Sequence, residues 1–195
     1  MKPPPLILAS ASPRRTDLLR QCGVKFQIDP AGVNEVAEEH LSAGETARIN
    51  AYRKARAVAK KHPEALVLGV DTVVALESAL FGKPLSLSEA EEMLWRLQGK
   101  THRVLTAVCL LLLRARRQKI FVEETAVTFR PLTREQIRRY HAQVNPLDKA
   151  GAYGIQEKGE LLVEAVCGSW TNVIGLPIAR LAAELPAFGV RLGDK

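Results

Sequence analysis

Strand-like apolar runs and helix-like stripes follow one another along the whole chain, with no linker or repeat between them. The first run, Leu6–Ala9, predicts a short buried strand, and a helix follows from Pro13 to about Cys22, closed by Gly23. Ser12 suits the N-cap, and Pro13 suits the first helical position, where its missing N–H is not needed. Ser42-x-x-Glu45 has capping-box spacing and opens a helix with Ala47, Ala51, Ala55, Val58 and Ala59 along one side. Leu66–Leu76 reads as a buried strand, followed by a turn from Glu77 to Phe81 into Gly82-Lys83-Pro84. A second box, Ser88-x-x-Glu91, predicts a helix ended by Gly99, and Thr133-x-x-Gln136 opens another. Between these two helices, His102–Leu113 and Ile120–Phe129 predict two strands. A loop over Asn145–Glu157, a strand over Leu161–Val166 and a helix from Pro177 to about Leu185 complete the pattern.

Such alternation predicts an α/β fold in one domain spanning 1–195, a mixed twisted sheet flanked by helices. The hairpin-like pair in the middle argues against a purely parallel sheet. The net charge of +7 calls for an anionic partner, small phosphates or nucleic acid. No basic patch is interleaved with aromatics, as a single-strand-binding surface would require, so a stable nucleic-acid complex is not expected. Arg114, Arg116, Arg117 and Lys119 form the densest basic run and fit a solvated hairpin turn. The three cysteines are widely spaced, which argues against a disulfide framework or a zinc site and fits a cytoplasmic protein. Met1-Lys2-Pro3-Pro4-Pro5 leads into only a short apolar run, unlike a signal peptide. The longest apolar run, Val104–Leu113, falls far short of the ~20 residues that span a bilayer, so no membrane partner is expected.

Polar residues placed against this pattern carry the chemistry. Arg14 and Arg15 stand in the first turn of a helix, against the helix dipole, where a bound phosphate would reverse the cost. Asp71 interrupts the apolar run Ala65–Leu76. A carboxylate there needs a cation, a metal, a proton or backbone donors, and it is a candidate general base or metal ligand. Lys54 falls in line with the apolar stripe of its helix, either as a snorkelling lysine or as an ammonium aimed into a cleft. Lys83, on the turn after the Asp71 strand, is similarly placed to reach back. Glu35, in a polar loop, could join Asp71 around a divalent cation. Carboxylates that hold a metal and activate water, with cations on the phosphoryl oxygens, are what attack on a polyphosphate requires. The Gly-x-x-x-x-Gly-Lys-Ser/Thr, His-x-x-Glu-His and Gly-x-Ser-x-Gly patterns are absent.

Six segments together resemble one family. They are Ser10-x-Ser12-Pro13-Arg14-Arg15, Asp71-Thr72-Val73-Val74, Gly82-Lys83-Pro84, His102-x-Val104-x-Thr106, Asp148-Lys149-Ala150-Gly151-Ala152-Tyr153-Gly154-Ile155-Gln156 and Asn172-Val173-x-Gly175-Leu176-Pro177. In order and extent they are similar to the Maf family of nucleoside triphosphate pyrophosphatases. The resemblance implies an elongated α/β fold of the Maf and ITPase-like kind with a central cleft. It also implies hydrolysis of a nucleoside triphosphate to monophosphate and pyrophosphate with a divalent metal cation (Mg, Mn or Co). Asp71 would accept the proton, and Glu35 with Asp71 would hold the metal. Arg14, Arg15, Lys54 and Lys83 would bind the triphosphate, with Ser10 and Ser12 as further substrate contacts. The chain departs from the family at Asn34, where an acidic residue often precedes the one matching Glu35. Arg14, Thr72 and Gln156 look like the branch acting on dTTP and UTP, in which an amide can match the N3–H and O4 of the base. A sister branch acts on 7-methyl-GTP, and a role restraining cell division or septum formation is associated with the family. The partner implied is the nucleoside triphosphate itself, and a homodimer is compatible with the resemblance.

Overall fold

Three long strands form the centre of one sheet, in a computed structural model that describes residues 3–36, 38 and 40–193. The Met1-Lys2 start lies outside the described residues. The strands are β1 (Leu6–Leu8), β2 (Gln27–Ile28), β3 (Leu66–Leu76), β4 (Ala79–Phe81), β5 (Thr101–Leu112), β6 (Arg117–Phe129) and β7 (Val163–Cys167). Their order is β2-β1-β3-β5-β6-β7, with β4 added beside β3. β1 runs parallel to β2 and β3, whereas β3, β5, β6 and β7 are successively antiparallel. The sheet is therefore mixed, as the central hairpin requires.

The helices are α1 (Pro13–Gln21), α2 (Ala43–Ala59), α3 (Leu87–Leu97), α4 (Arg134–His141), α5 (Trp170–Ile174) and α6 (Ile178–Glu184). α2 lies on one face of the sheet, where Ala47, Ala51, Ala55 and Val58 pack with Val67, Val73 and Ala107. On the opposite face α1, α3, α4 and α6 bury Leu18, Leu94, Ile137 and Leu181 against Leu68, Val70 and Phe129. Period-2 alternation thus splits β3 between two cores: 67, 73 and 75 face α2, and 66, 68, 70 and 74 face the other helices. No helix among the described residues is long and apolar enough to cross a membrane.

The pairing of β3 opens the molecule. β5 pairs one side of β3 from Leu66 to Ala75. The other side is divided, with β1 beside Leu66–Leu68 and β4 beside Val74–Leu76. Among the described residues no strand covers that side over 69–73. The stretch left open holds Asp71 and Thr72, which point to opposite faces of the sheet.

Local chemistry accounts for most element boundaries and for the departures from expectation. The Ser42–Glu45 and Thr133–Gln136 capping boxes both form. α3 begins two residues before the expected site: Ser86 Oγ accepts from Glu89 N, and Glu89 accepts from Leu85 N, so Ser88 lies inside the helix. Ser86-x-x-Glu89 has the same spacing as the later pair, and it is Ser86 that caps the helix. Ser12 occupies the N-cap of α1, but its hydroxyl makes no capping bond. The expected turn at 77–81 is a hairpin, with Glu77 at φ 55° and β4 returning along β3. β2 and α5 have too few residues to show a period, and nothing in the chain predicts them.

Gly69 sets the distance between α2 and β3. A Cβ there would stand 2.3 Å from Ala51 O and 2.6 Å from Ala55 N. A backbone collision of this kind can be relieved only by lifting the helix, and overpacking costs about 1–3 kcal/mol or more. Gly69→Ala is expected to lower Tm by roughly 3–10 °C in a thermal melt. An unchanged Tm would show that α2 is not seated this closely.

Candidate active site

The open stretch of β3 borders a cleft of about 440 Å3. All ten residues expected to form a site line it: Ser10, Ser12, Arg14, Arg15, Glu35, Lys54, Asp71, Thr72, Lys83 and Gln156. They come from the end of β1, the start of α1, the loop before α2, α2 itself, β3 and two later loops.

Asp71 is 3 % exposed. The close seat of α2 brings Lys54 Nζ to 2.6 Å from Asp71 Oδ1 and 2.7 Å from Glu35 Oε1, so one ammonium bridges two carboxylates. Lys54 is thus the ammonium aimed into the cleft. Burial pushes the Asp71 carboxyl above the usual aspartate range; Lys54 pulls it back, Glu35 adds to the rise and Arg15 opposes it. Burial acts upward on Glu35 as well, but Lys54, Lys83 and Arg15 outweigh it and hold that carboxyl below its ordinary value. Lys83 Nζ stands 3.8 Å from Glu35 Oε1 and is half exposed, free to reach a ligand in the cleft. Two neighbouring carboxylates are therefore pushed apart in proton affinity by their surroundings.

Asn50 was not anticipated, although its place one turn before Lys54 on the buried stripe of α2 is a signal in the chain. It is 2 % exposed. Its Oδ1 accepts from Val36 N at 2.7 Å, and its Nδ2 donates to Val36 O at 2.9 Å and to Asp71 Oδ2 at 3.4 Å. One amide therefore pins the loop carrying Glu35 against the strand carrying Asp71.

Arg15 ties together the opposite wall. Its Nε donates to Gly175 O at 2.9 Å, Nη1 to Ser10 Oγ at 3.1 Å and Nη2 to Thr72 Oγ1 at 3.0 Å. Gly175 (φ 120°) lets its turn lie against the guanidinium. Burial lowers the Arg15 pKa while Asp71 and Glu35 raise it, and a guanidinium stays charged under either influence. Thr72 Oγ1 also meets Thr106 Oγ1 at 3.0 Å, and Thr106 donates to Asn172 O at 3.1 Å. Ser10 Oγ accepts from Ser12 N as well, so this serine fixes the turn into α1. Arg14 lines the cleft, but its guanidinium is held by Asp148, with Nη1 2.7 Å from Oδ2 and Nη2 3.1 Å from the backbone oxygen. Gln156 is exposed at the cleft wall.

Among the described residues, no three His, Cys, Asp or Glu side chains are grouped closely enough to hold a metal ion. Glu35 and Asp71 supply two hard oxygen donors around one cation, the arrangement Mg2+ uses when phosphates and water complete its shell.

Residues 5–188 match the Maf-like protein family. The chain belongs to the Maf family. A dTTP/UTP pyrophosphatase of Symbiobacterium thermophilum is 47% identical over 184 residues, which cover 94% of each chain. Another protein of that name, from Bacillus cytotoxicus, is 46% identical and covers 93% of this chain and 94% of its own. The Ham1 protein of Staphylococcus aureus superposes with a TM-score of 0.52 at 16% identity, covering 93% of this chain and 98% of that one, and so shares its fold. The Maf motifs of this chain fall on the cleft walls, which the sheet gap brings together.

The electrostatics of the cleft predict a titration order. Asp71 is expected to titrate above the ordinary value of about 3.9 in a carboxyl 13C NMR titration, and Glu35 below its own of about 4.3. Glu35→Gln removes a negative neighbour and should move the Asp71 midpoint downward. An upward move, or an Asp71 midpoint below the ordinary value in the wild type, would contradict this assignment.

Proposed function

We propose that this Maf protein hydrolyses dTTP and UTP to the nucleoside monophosphate and pyrophosphate with a divalent cation. The observation that carries the reading is the buried Asp71 carboxylate, sharing Lys54 with Glu35 at the open edge of β3. The dTTP/UTP pyrophosphatases 46–47% identical to it over nearly their whole length support the choice of reaction and base.

Asp71 would take the proton of the attacking water. Burial and the Glu35 charge raise its proton affinity, while Lys54 favours the charged form that would accept the proton. Lys83 and the guanidinium protons of Arg15 left over from its three contacts would meet phosphate oxygens, where negative charge builds. Glu35 and Asp71 would hold the divalent cation, which when bound withdraws charge from the phosphates. Gln156 would face the N3–H and O4 of uracil or thymine with the two ends of one amide. We place the reaction in the cytoplasm, where the thiols of Cys22, Cys109 and Cys167 stay reduced.

Purified protein should convert dTTP and UTP to monophosphate and pyrophosphate, with turnover abolished by a chelator and restored by added Mg, Mn or Co. Release of orthophosphate with dTDP would overturn the reading. Asp71→Asn keeps the size but cannot accept the proton, and loss of a general base costs ~10²–10⁴-fold. Its kcat should fall by that factor with little change in KM. A near-normal kcat would make Asp71 structural.

A further inference from the structure

Four charged side chains close a ring on the far wall of the cleft. Arg14 meets Asp148 at 2.7 Å and Glu157 at 3.8 Å; Lys149 meets Asp148 at 2.8 Å and Glu157 at 3.1 Å. The ring links residues more than 130 positions apart, the first turn of α1 and the loop over 145–157. Its two cations balance its two carboxylates.

Lys149 is the buried member, with a side chain only 4% exposed. A lysine in the wall of a phosphate-binding cleft invites assignment to the triphosphate. Its geometry says otherwise. Its ammonium donates to Asn145 O at 2.7 Å and to Asp148 Oδ1 at 2.8 Å, and it is ion-paired with Glu157 Oε1 at 3.1 Å. The ammonium is thus buried among three oxygens of its own loop. The stem of Lys149 runs under the backbone of Gly154, where a Cβ would stand 2.8 Å from Lys149 Cε and 3.2 Å from Glu157 Oε1. Gly154 N also donates to the buried Tyr140 Oη at 3.0 Å. Ile155, the next residue, is buried in the core. The segment is therefore fixed on both sides of Gln156, by Gly154 and Ile155 before it and by Glu157 after it, while Gln156 itself stays exposed to the cleft.

We infer that Lys149 is a positioning residue for base selection, holding Gln156 at the cleft wall through its ion pair with the adjacent Glu157. The inference rests on the reading of Gln156 as the amide that meets the base. Lys149 reaches no reacting atom; its effect is on where Gln156 stands. Arg14 belongs to the same device from the α1 side, since its guanidinium closes the ring through Asp148.

The test compares kcat/KM for dTTP, UTP, CTP and GTP in the wild type, Lys149→Met, Gln156→Ala and the double variant, with Tm measured for each. Methionine keeps the stem beneath Gly154 and removes only the ammonium. Asp148 and Glu157 are about half exposed, so their carboxylates turn to water and leave no buried charge behind. Lys149→Met should lower kcat/KM for dTTP and UTP roughly tenfold, the scale of one lost hydrogen-bonding contact, with GTP changed less than about twofold. In the Gln156→Ala background the same substitution should leave the dTTP-to-GTP ratio unchanged, because the residue it positions is gone. Glu157→Gln, at a half-exposed site, should narrow the ratio in the same direction and carries the test if Lys149→Met fails to fold. An equal loss on all four nucleotides, or an unchanged ratio in folded Lys149→Met or Glu157→Gln, would overturn the inference while leaving the base reading intact. A wild type without preference for dTTP and UTP, or a Gln156→Ala protein that keeps it, would overturn the base reading and this inference together.

Discussion

A carboxylate in the middle of a valine- and leucine-rich strand needs a partner, and the cleft is organised around the one that Asp71 has. An isolated charge buried to this degree would take up a proton. Lys54 opposes that at 2.6 Å, and it reaches Asp71 because α2 rests on β3 where Gly69 has no side chain. The same ammonium holds Glu35 at 2.7 Å, so the loop before α2 is drawn to the same point. Asn50, one turn earlier on α2, fixes that loop by both backbone atoms of Val36. One helix face thus supplies the counter-ion, the clamp and the close packing.

Access to Asp71 comes from topology. β1 ends at Leu8 and β4 begins its pairing only at Val74, so β3 shows an uncovered side over 69–73. Period-2 geometry then delivers Asp71 to one face and Thr72 to the other, and the gap lets both border one cleft. Arg15 fastens the Thr72 side through Ser10 and Gly175, joining the end of β1, the open stretch of β3 and the end of α5. The loop carrying Glu35 is tied to this open stretch through Lys54 and Asn50, and the loop over 145–157 is tied to the start of α1 through Arg14.

Residues whose anomaly is local were legible in the chain. Asp71 stands out because a strand of that composition should hold no carboxylate, and Lys54 because it falls on an alanine stripe. The capping boxes of α2 and α4 are equally local, since their partners lie three residues apart. Ser86 and Ser88 both precede a glutamate by three, so spacing could not choose between them. Asn50 carried a weaker version of the Lys54 signal, but an asparagine on a buried stripe names no partner. Arg14 lines the cleft as expected, but its tie to Asp148 has no local signal, since no periodicity links positions 134 residues apart. Lys149, likewise, owes its burial to a loop conformation in which Gly151 takes φ 70° and Gly154 packs on its stem. Such features depend on tertiary folding and leave no mark in local spacing.

In the proposed reaction the Asp71 carboxylate, poised by burial and Lys54, accepts the proton. The pH dependence of kcat for dTTP, measured in the wild type and in Lys54→Met, tests it most directly. Activity should rise with pH on an acid limb set by Asp71. Lys54→Met removes the ammonium that favours the charged form, so the limb should move to higher pH. A limb that stays in place or moves to lower pH would show that Asp71 is not the proton acceptor.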